Sequence, residues 1–294
     1  MATPFDTALT QIPAELAAAL TAHLPQPFTG KLSPQDVAAL EQASGMKGHD
    51  LLLAMLPLAA SFSQAPVSHF EVGAIARGIS GTLYFGANLE LAGEALFHSV
   101  HAEQSAISHA WLAGEAGLTE IVVNASPCGH CRQFMNELNG ADELIIVLPG
   151  QDNGALHHYL PYAFGPSDLG VEVGLMAASG QALQLESDDA LVNAALAAAR
   201  LSYAPYSHSP SAVALQCQDG QVFVGRYAEN AAFNPSLPPM QMALADMARH
   251  RVGFDRIQRA VLVELADAQI SQATAARAAL AAISGVELTL CHAE

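Results

Sequence analysis

A chain of 294 residues, 51% of them hydrophobic, can bury one large core or two ordinary ones. Its formal charge of −17, with only 11 basic residues and just two lysines (Lys31, Lys47), excludes a binder of nucleic-acid backbone, which needs a patch of cations. The longest apolar run, Leu51 to Ala60, is too short for a bilayer and is broken by Pro57, and MATPFDTALTQIPAEL carries Asp6 and Glu15 but no Lys or Arg, so no membrane anchor or leader is expected. The expectation is a cytoplasmic protein with a small substrate.

In chain order, residues 1–48 read as small helices. Pro13 and Glu15 open PAELAAALTAHL, and Ser33-Pro34-Gln35-Asp36 forms a cap with proline in the first turn. An apolar helical segment, HDLLLAMLPLAASFS, comes next. FEVGAIA (70–76) and TLYFG (82–86) read as strands across a Gly/Ser turn, and VHAEQSAISHAWLAGEA (100–116) has helical spacing. A strand EIVVN (120–124), a helix from near Cys128 and a strand ELIIVLP (143–149) complete the first half. A Gly-, Asp-, His- and Ser-rich stretch runs from about 150 to 187, and the aromatic and proline anchors of HHYLPYAFGPSDL predict that its first part packs on that half.

The same order then recurs: helix 188–202, strands 211–217 and 221–227, a helix from about 239, strand 257–264, helix SQATAARAALAAI and strand VELTL. APVSHFEVGAIA (65–76) aligns with APYSHSPSAVAL (204–215), and Gly86 falls opposite Gly225. This predicts an internal duplication of one α/β unit.

The chemistry concentrates in His101-Ala102-Glu103 and Pro127-Cys128-Gly129-His130-Cys131. Two cysteines three apart at a helix start share one face, and the helix dipole favours the thiolates that bind Zn²⁺. His101, at the start of the preceding helix, is the best third ligand; His130 points elsewhere if both its neighbours ligate, and His98 and His109 lack a carboxylate two residues on. Three protein ligands leave a fourth position open, as in a catalytic zinc site, and Glu103 is placed to act as a base. H-A-E followed by P-C-x-x-C at successive helix starts is the signature of zinc deaminases. Arg132 reads as a thiolate partner or a solvated cation. Cys217 and Cys291 read as buried thiols.

VHAEQSAISHAWL and VNASPCGHCRQFMNEL, with NLE at 88–90, the YAFGP segment and the repeat, resemble the longer, two-lobed cytidine deaminases over nearly the whole chain. The resemblance implies a three-layer α/β/α unit with a mixed sheet, duplicated into a catalytic and a degenerate lobe behind a small N-terminal helical segment. The units would be the N-terminal segment at 1–48, the catalytic lobe at 49–168, a linker at 169–187 and the degenerate lobe at 188–294. It implies one zinc per chain on His101, Cys128 and Cys131, with Glu103 as proton shuttle. Asn88, Leu89 and Glu90 would form the ribose-binding segment, and Phe70, with Phe164, would contact the pyrimidine. Phe70 also opens an apolar strand, so core packing is an open reading for it. Ala125 stands where the resembled proteins carry an aromatic.

In the second half His101 falls on Pro238, Glu103 on Met240 and Asn88 on Tyr227, and LADAQIS replaces the cysteine segment, so that lobe cannot hold the metal. The expected activity is deamination of cytidine and deoxycytidine to uridine and deoxyuridine with release of ammonia, by a homodimer in which 229–239, with Phe233, reaches the partner's pocket. The alternatives are a deaminase of a nucleotide or RNA base, and a non-catalytic zinc-stabilised module. The former wants cations near the site, where Arg77 and Arg132 are the nearest in sequence; the latter wants a fourth protein ligand.

Overall fold

The computed structural model describes residues 3–24, 27–177 and 180–294. The N-terminal segment folds as α1 (Pro4–Leu9), α2 (Ala14–His23), β1 (Lys31–Leu32) and α3 (Pro34–Ser44). Ser33 caps α3 as its spacing predicts: its hydroxyl accepts from Asp36 N, and Asp36 reaches back to Ser33 N. The apolar segment after it divides at Met55 into α4 (Gly48–Ala54) and α5 (Leu56–Ala60), with Pro57 in the first turn of α5, where a missing N–H is harmless.

The first lobe continues with β2 (Gly73–Gly78), β3 (Leu83–Ala87), α6 (Ala102–Leu112), β4 (Leu118–Val123), α7 (Gly129–Met135), β5 (Ile145–Val147), β6 (Gly154–Ala155) and α8 (Leu156–Tyr159). The second lobe contains α9 (Ala190–Ala199), β7 (Ser211–Cys217), β8 (Val222–Arg226), α10 (Pro239–Arg249), β9 (Ile257–Leu265), α11 (Ala273–Ala281) and β10 (Leu288–Ala293).

Both sheets have the same connectivity. In the first, β2 lies between β3 and β4 and is antiparallel to both, while β4 and β5 are parallel; in the second, β7 lies likewise between β8 and β9, and β9 and β10 are parallel. The duplication read from the sequence is therefore a duplication of topology. The period-2 alternation of each sheet divides its residues between two cores. Ile75, Leu83, Phe85 and Val122 face α2–α5, and Ala74, Ala76, Tyr84 and Ile121 face α6 and α7. In the second lobe Ala212, Ala214, Val261 and Val263 face α9, and Val213, Leu215 and Leu262 face α10 and α11. Each lobe is thus three-layered, and the inner helical layers of the two lobes merge into one apolar core.

Three details depart from the sequence reading. The first strand starts at Gly73, so Phe70 is a loop residue and 60% exposed, not a core residue. The N-terminal segment is not purely helical, since Lys31 and Leu32 pair with Tyr84 and Leu83 at the edge of the first sheet. The connecting stretch is bound to its surroundings: Leu175 bridges to Leu138, and Gln184 exchanges both backbone hydrogen bonds with Glu294. Ala178 and Ser179, within the expected linker, lie outside the described residues.

Gly86 and Gly225, paired in the repeat, share one physical cause. A Cβ on Gly86 would lie 2.1 Å from Ala106 N and 2.7 Å from Ala102 O; one on Gly225 would lie 2.0 Å from Pro239 O and 2.5 Å from Ala243 N. Each glycine lets a strand touch the backbone of its inner helix. Gly86→Ala and Gly225→Ala are expected to lower unfolding free energy by about 1–3 kcal/mol through overpacking. Gly285→Ala, whose Cβ meets nothing within 4 Å, should stay within about 0.5 kcal/mol of the parent. Urea unfolding of the three variants measures the difference.

Candidate metal centre

The centre is assembled at two helix starts. β3 and β4 point the same way because each is antiparallel to β2, so the helices that follow them begin at one edge of the sheet. His101 is the N-cap residue of α6 and Cys128 the N-cap residue of α7. Gln104 accepts from His101 N at 3.2 Å, which satisfies the backbone at that cap and leaves the imidazole free. The Cys128 Sγ accepts from Cys131 N at 3.5 Å.

His101, Cys128 and Cys131 bring their ligand atoms within 4.8 Å of one another; the Cys128 Sγ lies 3.5 Å from His101 Nδ1 and 3.6 Å from Cys131 Sγ. Among the described residues this is the only group of metal-ligating side chains so gathered. The electrostatics favour a cation there. The Cys131 thiol and the His101 ring hold the Cys128 thiol down at about 3, and its proximity to Cys128, together with burial, pushes the Cys131 thiol up. The His101 imidazole is raised, first by its hydrogen bond to Cys128. Two thiols and an imidazole form a donor set that suits Zn²⁺, and a dication there favours the deprotonated form of both thiols.

Glu103, one position into α6, is 4% exposed, and burial raises its carboxyl above the ordinary range. It is a carboxyl kept ready to hold a proton, beside the ligand cluster. His130 stacks on His101 with ring centroids 5.0 Å apart. Arg132 takes neither role read from the sequence: it donates to the carbonyls of Pro127 (2.7 Å) and Tyr159 (2.9 Å) and to Ser126 Oγ (3.3 Å), bracing the turn that carries Cys128. No sequence signal separated that role from the other two.

The segment 88–90 runs past the same edge. The Asn88 Oδ1 accepts from Ser63 Oγ (2.7 Å) and Val72 N (2.9 Å), and its Nδ2 donates to the Phe70 carbonyl (2.9 Å), tying the Phe70 loop to the end of β3. Leu89 is buried and its backbone pairs with Val100, so it offers neither side chain nor amide to a ligand. Glu90 accepts from the backbone of Val67 and Ser68 and from the Ser68 hydroxyl; against the effect of burial, these donors hold its carboxyl below the usual range. Phe164 is half exposed, and its carbonyl accepts from Gln133 and Asn136 on the far side of α7. Ser63 and Ser68 carry no role in the sequence reading; the S-x-A-P-x-S-H match of 63–69 with 202–208 is the available signal.

The second lobe keeps the backbone of this edge and none of its ligands. Pro238 caps α10 where His101 caps α6, and Met240, at the place of Glu103, is fully buried. The pairing of Ala74 with Val123 and of Val213 with Leu262 puts Asp267 and Ile270 at the places of Cys128 and Cys131. The chain is therefore expected to hold one zinc ion. Cys128→Ala and Cys131→Ala should lose most of it, while Glu103→Gln keeps it, because Glu103 is not one of the gathered ligands. Elemental analysis after dialysis reads all three, and two tightly held ions per chain would refute the one-site reading.

Two family models, both described as the cytidine and deoxycytidylate deaminase zinc-binding region, match the chain, one over residues 46–148 and the other over 156–277. Cytidine deaminase of Shewanella loihica is 55% identical over 97% of this chain and 96% of its own length, and that of Shewanella amazonensis is 56% identical with the same coverage. The crystal structure of cytidine deaminase from Mycobacterium tuberculosis superposes with a TM-score of 0.37 and 28% identity, covering 41% of this chain and 99% of its own. With the ligand cluster at paired helix starts, and two matches to one family in its two lobes, the chain belongs to the cytidine and deoxycytidylate deaminase family.

Proposed function

We propose that the chain hydrolytically deaminates cytidine and deoxycytidine to uridine and deoxyuridine, with release of ammonia. The observation that carries this is the His101, Cys128 and Cys131 cluster with the buried Glu103 carboxyl beside it. The name cytidine deaminase on relatives more than 50% identical along the chain supports it. His101, Cys128 and Cys131 would hold the zinc, which supplies the Lewis acidity that makes water acidic near neutral pH. Glu103 takes a proton from water and delivers it to N3 of cytosine as the water oxygen adds to C4; it then takes the remaining hydroxyl proton and gives it to the exocyclic amine, and the C4–N bond breaks to release ammonia. Burial, which raises the Glu103 carboxyl, favours the protonated form that each delivery needs. Asn88 and Glu90, already held by Ser63 and Ser68, would receive the ribose hydroxyls, and Phe70 the face of the base.

The charge around the site supports a nucleoside over a nucleotide. The Arg132 guanidinium is spent on the Cys128 turn, and Arg77 pairs with Glu120 at the opposite end of β2. Turnover of Glu103→Gln, folded and zinc-loaded, is expected to fall at least about 10²–10⁴-fold, the usual worth of a positioned acid–base group. Ammonia release should be efficient with cytidine and deoxycytidine and poor with their 5′-phosphates. Full activity in the Glu103 variant, or equal kcat/KM for nucleotide and nucleoside, counts against the mechanism and the substrate class respectively.

A homodimer is the second part of the proposal. Phe70, Leu96, Phe97, Tyr162, Phe164 and Phe233 are each large, apolar and exposed, and a second copy seated on them would take that surface out of water. Tyr162 and Phe233 also sit at φ 55° and 63°, where large residues are rarely held. The 229–239 segment is anchored on its own catalytic lobe through Asn230 to Gln133, Ala231 to Glu137 and Pro235 to Gln104, which leaves Phe233 pointing outward, 68% exposed. A second copy would cover these side chains, with Phe233 closing the partner's pocket; Cys217 and Cys291, free thiols outside the ligand cluster, suit a reducing cytoplasm. Sedimentation at assay concentration should give twice the chain mass, and Phe233→Ala should raise KM with zinc retained. A fully active monomer ends this part.

A further inference from the structure

Away from the metal centre the two lobes flank a half-open cavity of about 250 Å³, lined by Trp111, Glu115, Met176, Leu201, Tyr203 and Arg226 among others. Arg226 closes β8 and is 6% exposed. Its guanidinium lies over the Trp111 ring, 4.1 Å from the centroid, and its Nη2 donates to the Trp111 carbonyl. Its Nε is buried with no acceptor among the described residues. No described carboxylate comes within the 4.0 Å of an ion pair. Glu115, on the same wall, is taken by the Ser80 amide and hydroxyl and the Tyr84 hydroxyl.

Burial without a counter-charge disfavours a guanidinium and lowers this one to about 10, yet it remains charged at neutral pH. Stacking on Trp111 covers one face only partly in compensation. A guanidinium edge matches two oxygens of a tetrahedral anion in one plane, and the bond is strongest where water is excluded. The cavity has room for such an ion and some water but is too small to enclose a whole nucleotide.

We propose that this inter-lobe cavity is a binding site for a small tetrahedral oxyanion, either inorganic phosphate or the phosphate end of a phosphomonoester, held by Arg226 against Trp111. The ion ties β8 of the second lobe to the last turn of α6, the end opposite the metal ligands. Its effect is therefore on the docking of the lobes.

The test uses the zinc-loaded enzyme. Thermal unfolding is measured in phosphate, in glycerol 3-phosphate and in chloride at matched pH and ionic strength. A tetrahedral anion is expected to raise the midpoint by roughly 2–4 °C over chloride. Inorganic phosphate alone raising it identifies the free ion, and the ester acting at lower concentration identifies the phosphomonoester. Arg226→Gln should abolish the difference between salts. Leu201→Glu, which puts a carboxylate at the half-exposed rim without touching Arg226, should abolish it too, and decides the matter should the first variant not fold. Equal midpoints of the parent in all three salts, or an undiminished phosphate effect in Arg226→Gln or Leu201→Glu, overturns the proposal.

Discussion

The constraint on which the rest of the molecule depends is the burial of α6 on every side. Every residue from Ala102 to Trp111 is buried. One face lies on β3 at the distance that Gly86 permits, and another lies against α10 of the second lobe. The residues that make this possible are small: Ala102, Ser105, Ala106, Ser108 and Ala110. Such a helix has no solvent face with which to adjust, so its first turn is fixed by packing from both sheets. That turn holds His101 and Glu103. The second lobe has lost its ligands and kept its core for a physical reason: without α10, half of α6 would face water. The contacts Gln241 to His98 (2.8 Å) and Arg249 to Ser105 extend the same joint to its polar groups.

The charges around that turn conflict unless something positive resolves them. Glu103 is buried beside two thiols, its pKa raised by burial, while the neighbouring thiol and imidazole hold Cys128 down. A dication lets both thiols ionise and shares their charge, which makes metal loading part of the stability of the catalytic lobe as well as of its chemistry. The nearest arginine in sequence, Arg132, does not fill this place; it donates to the Pro127 and Tyr159 carbonyls and to Ser126 Oγ, and keeps the Pro127 turn in place so that Cys128 caps α7.

The fold was legible where the pattern was long and periodic. Residues 211–217 form the strand that the recurring element order implies, and the P-C-x-x-C turn opens α7 as its residue types require. Legibility failed where the cause is tertiary. Lys31 and Leu32 form a strand only because Tyr84 and Leu83 are there to pair with, and two residues carry no period. Phe70 lies in an apolar run, but the Asn88 side chain holds its carbonyl and delays the strand to Gly73, and the Asn124 side chain accepts from the Gly73 amide. The three-ligand cluster was readable because each ligand type is unusual at a helix cap, whereas the serines that hold Asn88 and Glu90 are ordinary loop residues until the loops are folded.

The degenerate lobe separates what the site loops need in order to fold from what they need in order to react. Glu229 accepts from the Tyr206 and Ser207 amides and the Ser207 hydroxyl, as Glu90 accepts from the Val67 and Ser68 amides and the Ser68 hydroxyl. His69 and His208, which follow those serines, sit at φ 53° and 50°. Ala228 bridges to Tyr203 and Leu237 as Leu89 bridges to Gln64 and Val100. These bonds persist in a lobe with no ligand cluster among its described residues, so they exist to shape the loop. Among the candidate site residues the second lobe replaced His101, Glu103, Cys128, Cys131 and Asn88, and it carries Ser209 in the place of Phe70. Glu90 therefore closes its own loop whether or not a ligand cluster stands beside it, and a substitution there changes the shape of that loop along with its hydrogen bonding.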